Sequence, residues 1–180
     1  METQKIQRKY IVEGGPGCGK TTVLNLVESR GYAIVPEAAR LVLSENKGLA
    51  GKALQEAIMA KQTSLEDLAE GEVVFLDRGL PSCEGYAKYF GGNLENTTYE
   101  TRLRSAKYES TVFLLDSLPK ELYKNDAQRK ETYEEAQRIS EHLRQAYQQR
   151  GFNVVRVPFS NPQERAEQIV KTAKETKNGK

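Results

Sequence analysis

One stretch of eight residues near the N-terminus constrains the fold of this chain more than any other feature. Residues 14–21 read GGPGCGKT and fit the pattern G-x-x-x-x-G-K-[ST] at every position. A short apolar run, residues 10–12, precedes them, and a segment of helical periodicity, residues 21–30, follows. A strand, a glycine-rich turn and a helix in this order can surround a phosphate group with backbone N–H donors. The pattern therefore predicts a phosphate site near the start of an α/β domain.

Each residue type in this loop has a physical task. Glycines permit a tight turn that points N–H groups inward, and the following helix adds its positive N-terminal end. Lys20 is expected to reach the outer phosphates of a nucleotide, and Thr21 to offer its hydroxyl to Mg²⁺. Cys18 is interpreted as a small loop residue, with a redox switch as the alternative. The predicted nucleotide-binding residues are Gly14, Gly15, Pro16, Gly17, Cys18, Gly19, Lys20, Thr21 and Thr22.

Short apolar runs recur along the chain and alternate with segments of helical periodicity. The predicted strands are residues 10–12, 32–35, 72–77, 111–116 and 152–157. This alternation is typical of a parallel sheet covered by helices on both faces, so we predict a three-layer α/β fold. The predicted helices are residues 21–30, 37–44, 53–69, 81–90, 95–107, 133–150 and a last one with Asn161 as its N-cap, Pro162 in its first turn and Glu164 at the capping-box position.

Composition excludes several classes of protein. The 180 residues hold 27 Lys+Arg against 25 Asp+Glu, which argues against a dedicated nucleic-acid surface or a polybasic membrane binder. Two cysteines and one histidine are too few for the usual four ligands of a structural zinc site. The apolar runs are far shorter than a membrane span, and the polar N-terminus lacks a signal core. We therefore expect a cytoplasmic protein with one nucleotide-binding domain over residues 1–180.

Two of the predicted strands end in an acid that could organise Mg²⁺. Asp77 closes the run VVFLD and is followed directly by Arg78, whereas Asp116 closes VFLLD. An acid and an arginine at one strand end place a metal or phosphate partner beside the loop, so Asp77 is the preferred ligand and Arg78 a substrate contact. The alternatives are a helix cap for Asp77 and a structural cap or lid contact for Asp116.

The segment after the second strand offers groups for a second substrate. Glu37 follows Pro36 at the carboxyl end of the sheet, where a carboxylate could accept a proton from a substrate hydroxyl. Arg40 lies one helical turn further and could contact the same substrate. The alternatives are a first-turn acid that complements the helix dipole and a surface ion pair.

Residues 117–132 are charged and irregular, and they follow the fourth strand. A mobile basic segment above a phosphate loop would exclude water and neutralise the charge of a transferred phosphoryl group. Arg129 is the predicted lid arginine, and a solvated charged surface is the alternative for the segment as a whole.

These motifs resemble the nucleoside and nucleotide kinase group of P-loop proteins. Residues 13–22 resemble the phosphate loop of deoxynucleoside and thymidylate kinases. Residues 35–37 resemble the deoxynucleoside-kinase segment whose glutamate serves as base, and Asp77-Arg78 resembles the acid–arginine pair after the third strand. The two-arginine lid pattern of deoxynucleoside kinases is not clear here, because Lys130 follows Arg129 directly.

Over nearly the whole chain, the sequence resembles a family of small predicted AAA-type ATPases. That family is grouped with the ribosylnicotinamide-kinase domain of bacterial NAD regulators. Residues 126–131, the long helix after them and residues 151–158 resemble its C-terminal half. The resemblance implies a P-loop NTPase fold with five strands in the kinase-like order 2-3-1-4-5, and it implies ATP and Mg²⁺.

The leading hypothesis is a phosphotransferase that moves the γ-phosphoryl group of ATP to a hydroxyl of a small nucleoside-like or nucleotide-like acceptor. Lys20, Glu37, Asp77 and Arg129 would be catalytic. The alternatives are an NTPase that acts as a switch or as accessory to a partner, and a nucleotide-binding module without turnover. The sequence disfavours a mechanical motor, because we expect no room for an extra helical domain, and it disfavours a GTPase switch, because no N-K-x-D motif is present.

Overall fold

The computed structural model describes residues 7–124 and 131–176, and in these ranges five parallel strands form one sheet. Numbered along the chain, the strands lie in the order 2-3-1-4-5, which confirms the kinase-like strand order that the resemblance implies. The strands are β1 (Arg8–Glu13), β2 (Ala33–Val35), β3 (Val73–Asp77), β4 (Tyr108–Leu115) and β5 (Asn153–Val157).

The described ranges contain seven α-helices. A short 3-10 turn, Lys120–Leu122, follows β4. The helices are α1 (Lys20–Glu28), α2 (Ala38–Glu45), α3 (Gly51–Leu68), α4 (Pro81–Tyr89), α5 (Tyr99–Ser105), α6 (Tyr133–Gln149) and α7 (Pro162–Glu175).

The strand register brings the ends of three strands together. Val12 of β1 lies beside Asp77 of β3, and Val35 of β2 lies beside Leu76. On the other side of β1, Val12 lies beside Phe113 of β4. Because all the strands are parallel, their carboxyl ends share one edge, which is where open α/β sheets bind ligands. The loops after β1, β2 and β3 leave this edge and carry most of the predicted site residues.

Alternate side chains of β1 separate the core into two layers. Tyr10 and Val12 pack with α1 and α7, and Val27 and Ile169 join them at 0% exposure. Ile11 points to the opposite face and packs with Tyr147 of α6. Each such buried side chain stabilises the fold by about 1.5–3 kcal/mol. Side chains thus pack against both faces of the sheet, which fixes the positions of the carboxyl ends of its strands.

The predicted helix over residues 95–107 is wrong at its start, because α5 begins only at Tyr99. Local hydrogen bonds compete with helix formation in the preceding residues. The Asn93 side chain accepts the N–H of Glu95 at 3.0 Å, and Glu56 of α3 accepts the N–H of Thr98 at 2.6 Å. Such side-chain bonds to the backbone favour turns and helix starts over helix interiors.

The start of α7 follows the predicted signals. The Asn161 side chain accepts the N–H of Glu164 at 2.9 Å, and Pro162 occupies the first turn. A reciprocal capping box forms at α6, where Thr132 and Glu135 each bond to the backbone of the other. A search of the described residues finds no helix with the length and apolar character needed to cross a membrane.

Candidate active site

The phosphate loop, residues 14–19, turns tightly between β1 and α1. A side chain at Gly15 would meet the carbonyl oxygen of Ala136 at 2.6 Å, so glycine is needed for this close approach to α6. Gly19 has φ 81°, in the left-handed region that favours glycine, and directly precedes α1. The loop residues from Gly15 onward line a cleft, with the N-terminus of α1 at their end.

Lys20 and Asp77 form a buried ion pair beside the loop. The Lys20 ammonium group contacts Asp77 Oδ1, and the two side chains are 6% and 11% exposed. An ammonium group on a flexible stem can reach phosphate oxygens, and a carboxylate can bind Mg²⁺. The structure therefore brings the two predicted phosphate and metal ligands into direct contact, with their charges mutually compensated.

Arg78 follows β3 and has an uncommon backbone conformation. Its φ of 80° is in the left-handed region, and its N–H donates to the carbonyl of Val12 at 3.1 Å. Its guanidinium donates to Glu13 and, at 3.0 Å, to Glu37, and it lies 5.2 Å from the centre of the Tyr86 ring. Strained backbone of this kind persists where several contacts fix it, typically at functional sites.

Glu37 lies between two arginines. Its carboxylate accepts a hydrogen bond from Arg78 Nε at 3.0 Å and forms an ion pair with Arg40, whose Nε lies 2.9 Å away. Burial raises the pKa of Glu37, but the positive charges of Arg78, Lys20 and Arg40 outweigh it and lower that pKa to about 2. Glu37 is therefore a carboxylate at neutral pH, and it can accept a hydrogen bond from a hydroxyl group.

A single cleft of about 550 Å³ connects the phosphate loop to these charged residues. Glu37, Arg40 and Arg78 all line it, together with residues 15–21 of the loop and of α1. The remaining walls combine apolar side chains with two amides and include Leu43, Leu54, Gln55, Ile58, Gln62, Tyr86 and Phe90. A cleft of this volume, with apolar walls and a few charged groups, is typical of small-molecule sites.

Comparison with known sequences assigns the chain to a family. Residues 9–165 match the sequence model of a protein family that is described as an AAA domain. The chain belongs to this family. The matched range runs from β1 into the first turn of α7, so the phosphate loop and the whole charged cleft lie within the AAA domain. No curated protein sequence matches the chain.

Solved structures similar to this AAA domain include several kinases. Thymidylate kinase from Candida albicans has a TM-score of 0.62 and 17% identity, and the alignment covers 97% of this chain and 94% of the kinase. Deoxyadenosine kinase from M. mycoides has a TM-score of 0.64 and 16% identity, with coverages of 93% and 99%. NadR, solved with NAD and AMP-PNP, has a TM-score of 0.71 and 17% identity, with coverages of 97% and 50%. These similarities confirm the P-loop kinase-like fold.

The remaining residues of the phosphate-loop motif in this AAA domain differ in solvent exposure. Thr21 and Thr22 lie exposed on the first turn of α1, and Thr21 lines the cleft. Cys18 is 2% exposed, and burial raises the pKa of its thiol despite the nearby Lys20. A buried, protonated thiol is a poor nucleophile, so the structure favours a packing role for Cys18 over the redox alternative.

Asp116 pairs with a surface arginine, whereas part of the predicted lid lies against the phosphate loop. The Asp116 carboxylate pairs with Arg156 of β5 at 2.8 Å, which favours the structural alternative for Asp116. Arg129 lies outside the described residues. Of the predicted lid over residues 117–132, the described part includes Tyr123, whose ring lies directly against Gly17 of the phosphate loop.

Glu13 is a site residue that the sequence interpretation missed. It is 0% exposed, and its carboxylate accepts hydrogen bonds from the N–H of Gly14 at 2.9 Å, from Tyr147 at 3.0 Å, and from Arg78 and Ser82. It thus joins the phosphate loop to the arginine of the cleft. An acid that closes an apolar strand was the signal used for Asp77, and the same signal would have found Glu13.

The pKa of Glu37 predicts how stability depends on pH. Because the folded-state pKa of about 2 lies below the ordinary value of 4.5, ionised Glu37 stabilises the fold above pH 4.5, and this stabilisation is lost as pH falls towards 2. Between pH 7 and pH 3, wild type should lose about 2 kcal/mol more unfolding free energy than Glu37→Gln. Urea denaturation at both pH values measures this, and an equal loss in both proteins would contradict it.

Proposed function

We propose that this protein is a phosphotransferase that moves the γ-phosphoryl group of ATP to a hydroxyl group of a small nucleoside-like or nucleotide-like acceptor. Residues 1–180 form the nucleotide-binding domain, and residues 117–132 form its lid. Lys20 contacts the outer phosphates, and Arg129 of the lid stabilises the transferring group. Arg78 and Arg40 hold the acceptor.

One observation carries the proposal: the cleft extends from the phosphate loop to Glu37, Arg40 and Arg78 and has room for a second molecule. An NTPase that uses water needs no such chamber beside its phosphate site. A hydroxyl compound bound there would lie between the phosphate loop and a carboxylate. Holding both reactants in one site is the main source of rate in phosphoryl transfer.

The residues beside the loop fit a magnesium–nucleotide complex. The hydroxyl of Thr21 is exposed at the first turn of α1, and Asp77 supplies a carboxylate next to Lys20. One or two protein oxygens together with phosphate oxygens are typical of Mg²⁺ that arrives with a nucleotide. When bound, the ion neutralises charge on the outer phosphates.

Glu37 acts mainly by orienting the acceptor. With a pKa of about 2 it is a weak base, but its charge is fixed and its two oxygens are positioned by Arg78 and Arg40. In a loose phosphoryl-transfer transition state the hydroxyl needs alignment more than early deprotonation. A hydrogen bond from the hydroxyl to Glu37 supplies that alignment. The Glu37 carboxylate receives the proton late in the transfer.

Charge pairing in the cleft favours an uncharged acceptor. Among the described residues, Arg78 is paired with Glu13 and Glu37, and Arg40 is paired with Glu37. A phosphomonoester would need cations released from these pairs, whereas a neutral hydroxyl compound needs none. We therefore expect nucleosides to be better acceptors than their monophosphates.

An acceptor panel tests the proposal. ADP release from MgATP is measured with matched nucleosides, nucleoside monophosphates and hydroxyl-bearing vitamins, with a no-acceptor blank. At least one nucleoside-like compound should raise ADP release tenfold or more above the blank, and its monophosphate should be the weaker acceptor. If ADP is released at the same rate with and without every compound, water is the acceptor and the protein is an NTPase. If no mixture releases ADP, the protein is a nucleotide-binding module without turnover.

A further inference from the structure

Arg165 of α7 is buried directly behind the phosphate loop. Its side chain is 2% exposed and is one of the largest fully buried side chains in the described part of the protein. Its guanidinium donates to the carbonyl oxygen of Cys18 at 2.7 Å and to that of Asp116 at 2.8 Å. A further contact reaches the carbonyl of Val157 at 3.3 Å. The arginine thus joins the loop to the ends of β4 and β5.

The charge of Arg165 has no carboxylate partner within residues 7–124 and 131–176. Its three acceptors are backbone carbonyls, and its Nε is buried without a hydrogen-bond partner in these ranges. The carboxylate of Asp116 is instead paired with Arg156. A buried charge that is not paired with an opposite charge is costly and is retained where something offsets it. Burial lowers the pKa of Arg165, and the negative charge of Asp116 offsets this only in part.

The bond to Cys18 also fixes the orientation of the loop backbone. In a trans peptide the carbonyl and the following N–H point in opposite directions, and the described residues contain no cis peptide. The N–H of Gly19 is therefore directed away from the guanidinium. A donor bonded to the carbonyl of a peptide also polarises its N–H, which makes that N–H a stronger donor.

We propose that Arg165 is a positioning residue for nucleotide phosphate, acting through the Cys18–Gly19 peptide and through a positive charge that no carboxylate contacts directly within residues 7–124 and 131–176. Phosphate oxygens on the loop add negative charge close to this buried arginine. The proposal rests on the nucleotide site of the proposed function and is independent of the acceptor.

The test compares variants of Arg165 by calorimetry with MgATP and with inorganic tripolyphosphate. Arg165→Met removes the charge and the donors, Arg165→Gln removes the charge but keeps an amide donor, and Arg165→Lys keeps the charge. Arg156→Met is the matched control, since it deletes an exposed arginine of the same region. Circular dichroism confirms that each variant is folded, and the Gln and Lys variants suffice if the Met variant does not fold.

Both uncharged variants should bind both ligands at least tenfold more weakly, while Arg165→Lys and Arg156→Met stay within threefold of wild type. The affinity of the uncharged variants should also depend less steeply on salt, because one interacting charge is gone. Uncharged variants that bind within twofold of wild type would overturn the positioning role and leave only a packing role. A wild-type protein that binds neither ligand would instead overturn the proposed function, and a failure of acceptor phosphorylation does not affect this assay.

Discussion

Replacement of Lys20 by alanine should weaken MgATP binding about 100-fold and lower turnover by about 10³. The ammonium group is the only side-chain cation within the loop motif, and charge-assisted bonds to phosphate are among the strongest that a protein makes. Loss of one preorganised contact to the transferring group typically costs 10² to 10³ in rate. Calorimetry and ADP release measure the two effects.

Controls for Lys20→Ala must distinguish a loss of nucleotide affinity from a loss of folding stability. The substitution leaves the Asp77 carboxylate buried without its partner, which we expect to cost about 3–5 kcal/mol of stability. The double variant Lys20→Ala, Asp77→Asn removes that unpaired charge and should recover stability but not ATP binding. Lys61→Ala, which breaks a surface pair with Glu45, should leave both unchanged. Wild-type ATP affinity in Lys20→Ala would contradict the assignment of the loop.

Replacement of Glu37 by glutamine should abolish acceptor-dependent turnover, with a loss of about 10² or more, and should leave ATP affinity within twofold of wild type. The amide keeps the size of the side chain but removes the charge that orients the acceptor hydroxyl, and loss of one preorganised polar contact to the reacting groups typically costs about 10² to 10³ in rate. Saturation kinetics in the acceptor separate the effect on kcat from the effect on KM.

Glu45→Gln is the matched control, because Glu45 lies on the same helix α2 and pairs only with Lys61 at the surface among the described residues. It should behave as wild type in every assay. If Glu37→Gln kept acceptor-dependent turnover within threefold of wild type, Glu37 would have only a structural role between its two arginines. Hydrolysis by water alone should change little, since that reaction does not use the acceptor site.

The fold was predictable because its signals are local. The loop pattern defines β1 and α1, and the alternation of short apolar runs with helical stripes defines the other strands. The order of the strands came from the resemblance, since periodicity alone does not specify which strands pair. The predicted start of α5 is too early because Asn93 and Glu56 accept hydrogen bonds from the backbone of Glu95 and Thr98, which precede the helix, and the Glu56 contact comes from another helix.

The site was predictable only for charged residues that lie at or just after the ends of predicted strands. Lys20, Glu37, Asp77 and Arg78 follow strands, so their meeting at one sheet edge could be inferred. Arg165 lies 145 residues after Lys20, on a helix rich in charged residues, and nothing in the local sequence marks it as buried. Its role follows from tertiary packing of α7 against the loop. The left-handed backbone of Arg78 likewise depends on contacts with other elements, among them those with Val12, Glu13 and Glu37.

The central claim is that a phosphoryl group is transferred to a bound hydroxyl compound. It is tested most directly by running the reaction in water enriched in ¹⁸O and measuring which phosphorus-containing products form and how much ¹⁸O each contains. Wild-type protein, MgATP and the best acceptor of the panel are incubated, and the products are analysed by mass spectrometry. We expect an acceptor phosphomonoester that contains no ¹⁸O and forms in the same amount as ADP. Inorganic phosphate that carries one ¹⁸O and equals the ADP, without any monoester, would contradict it.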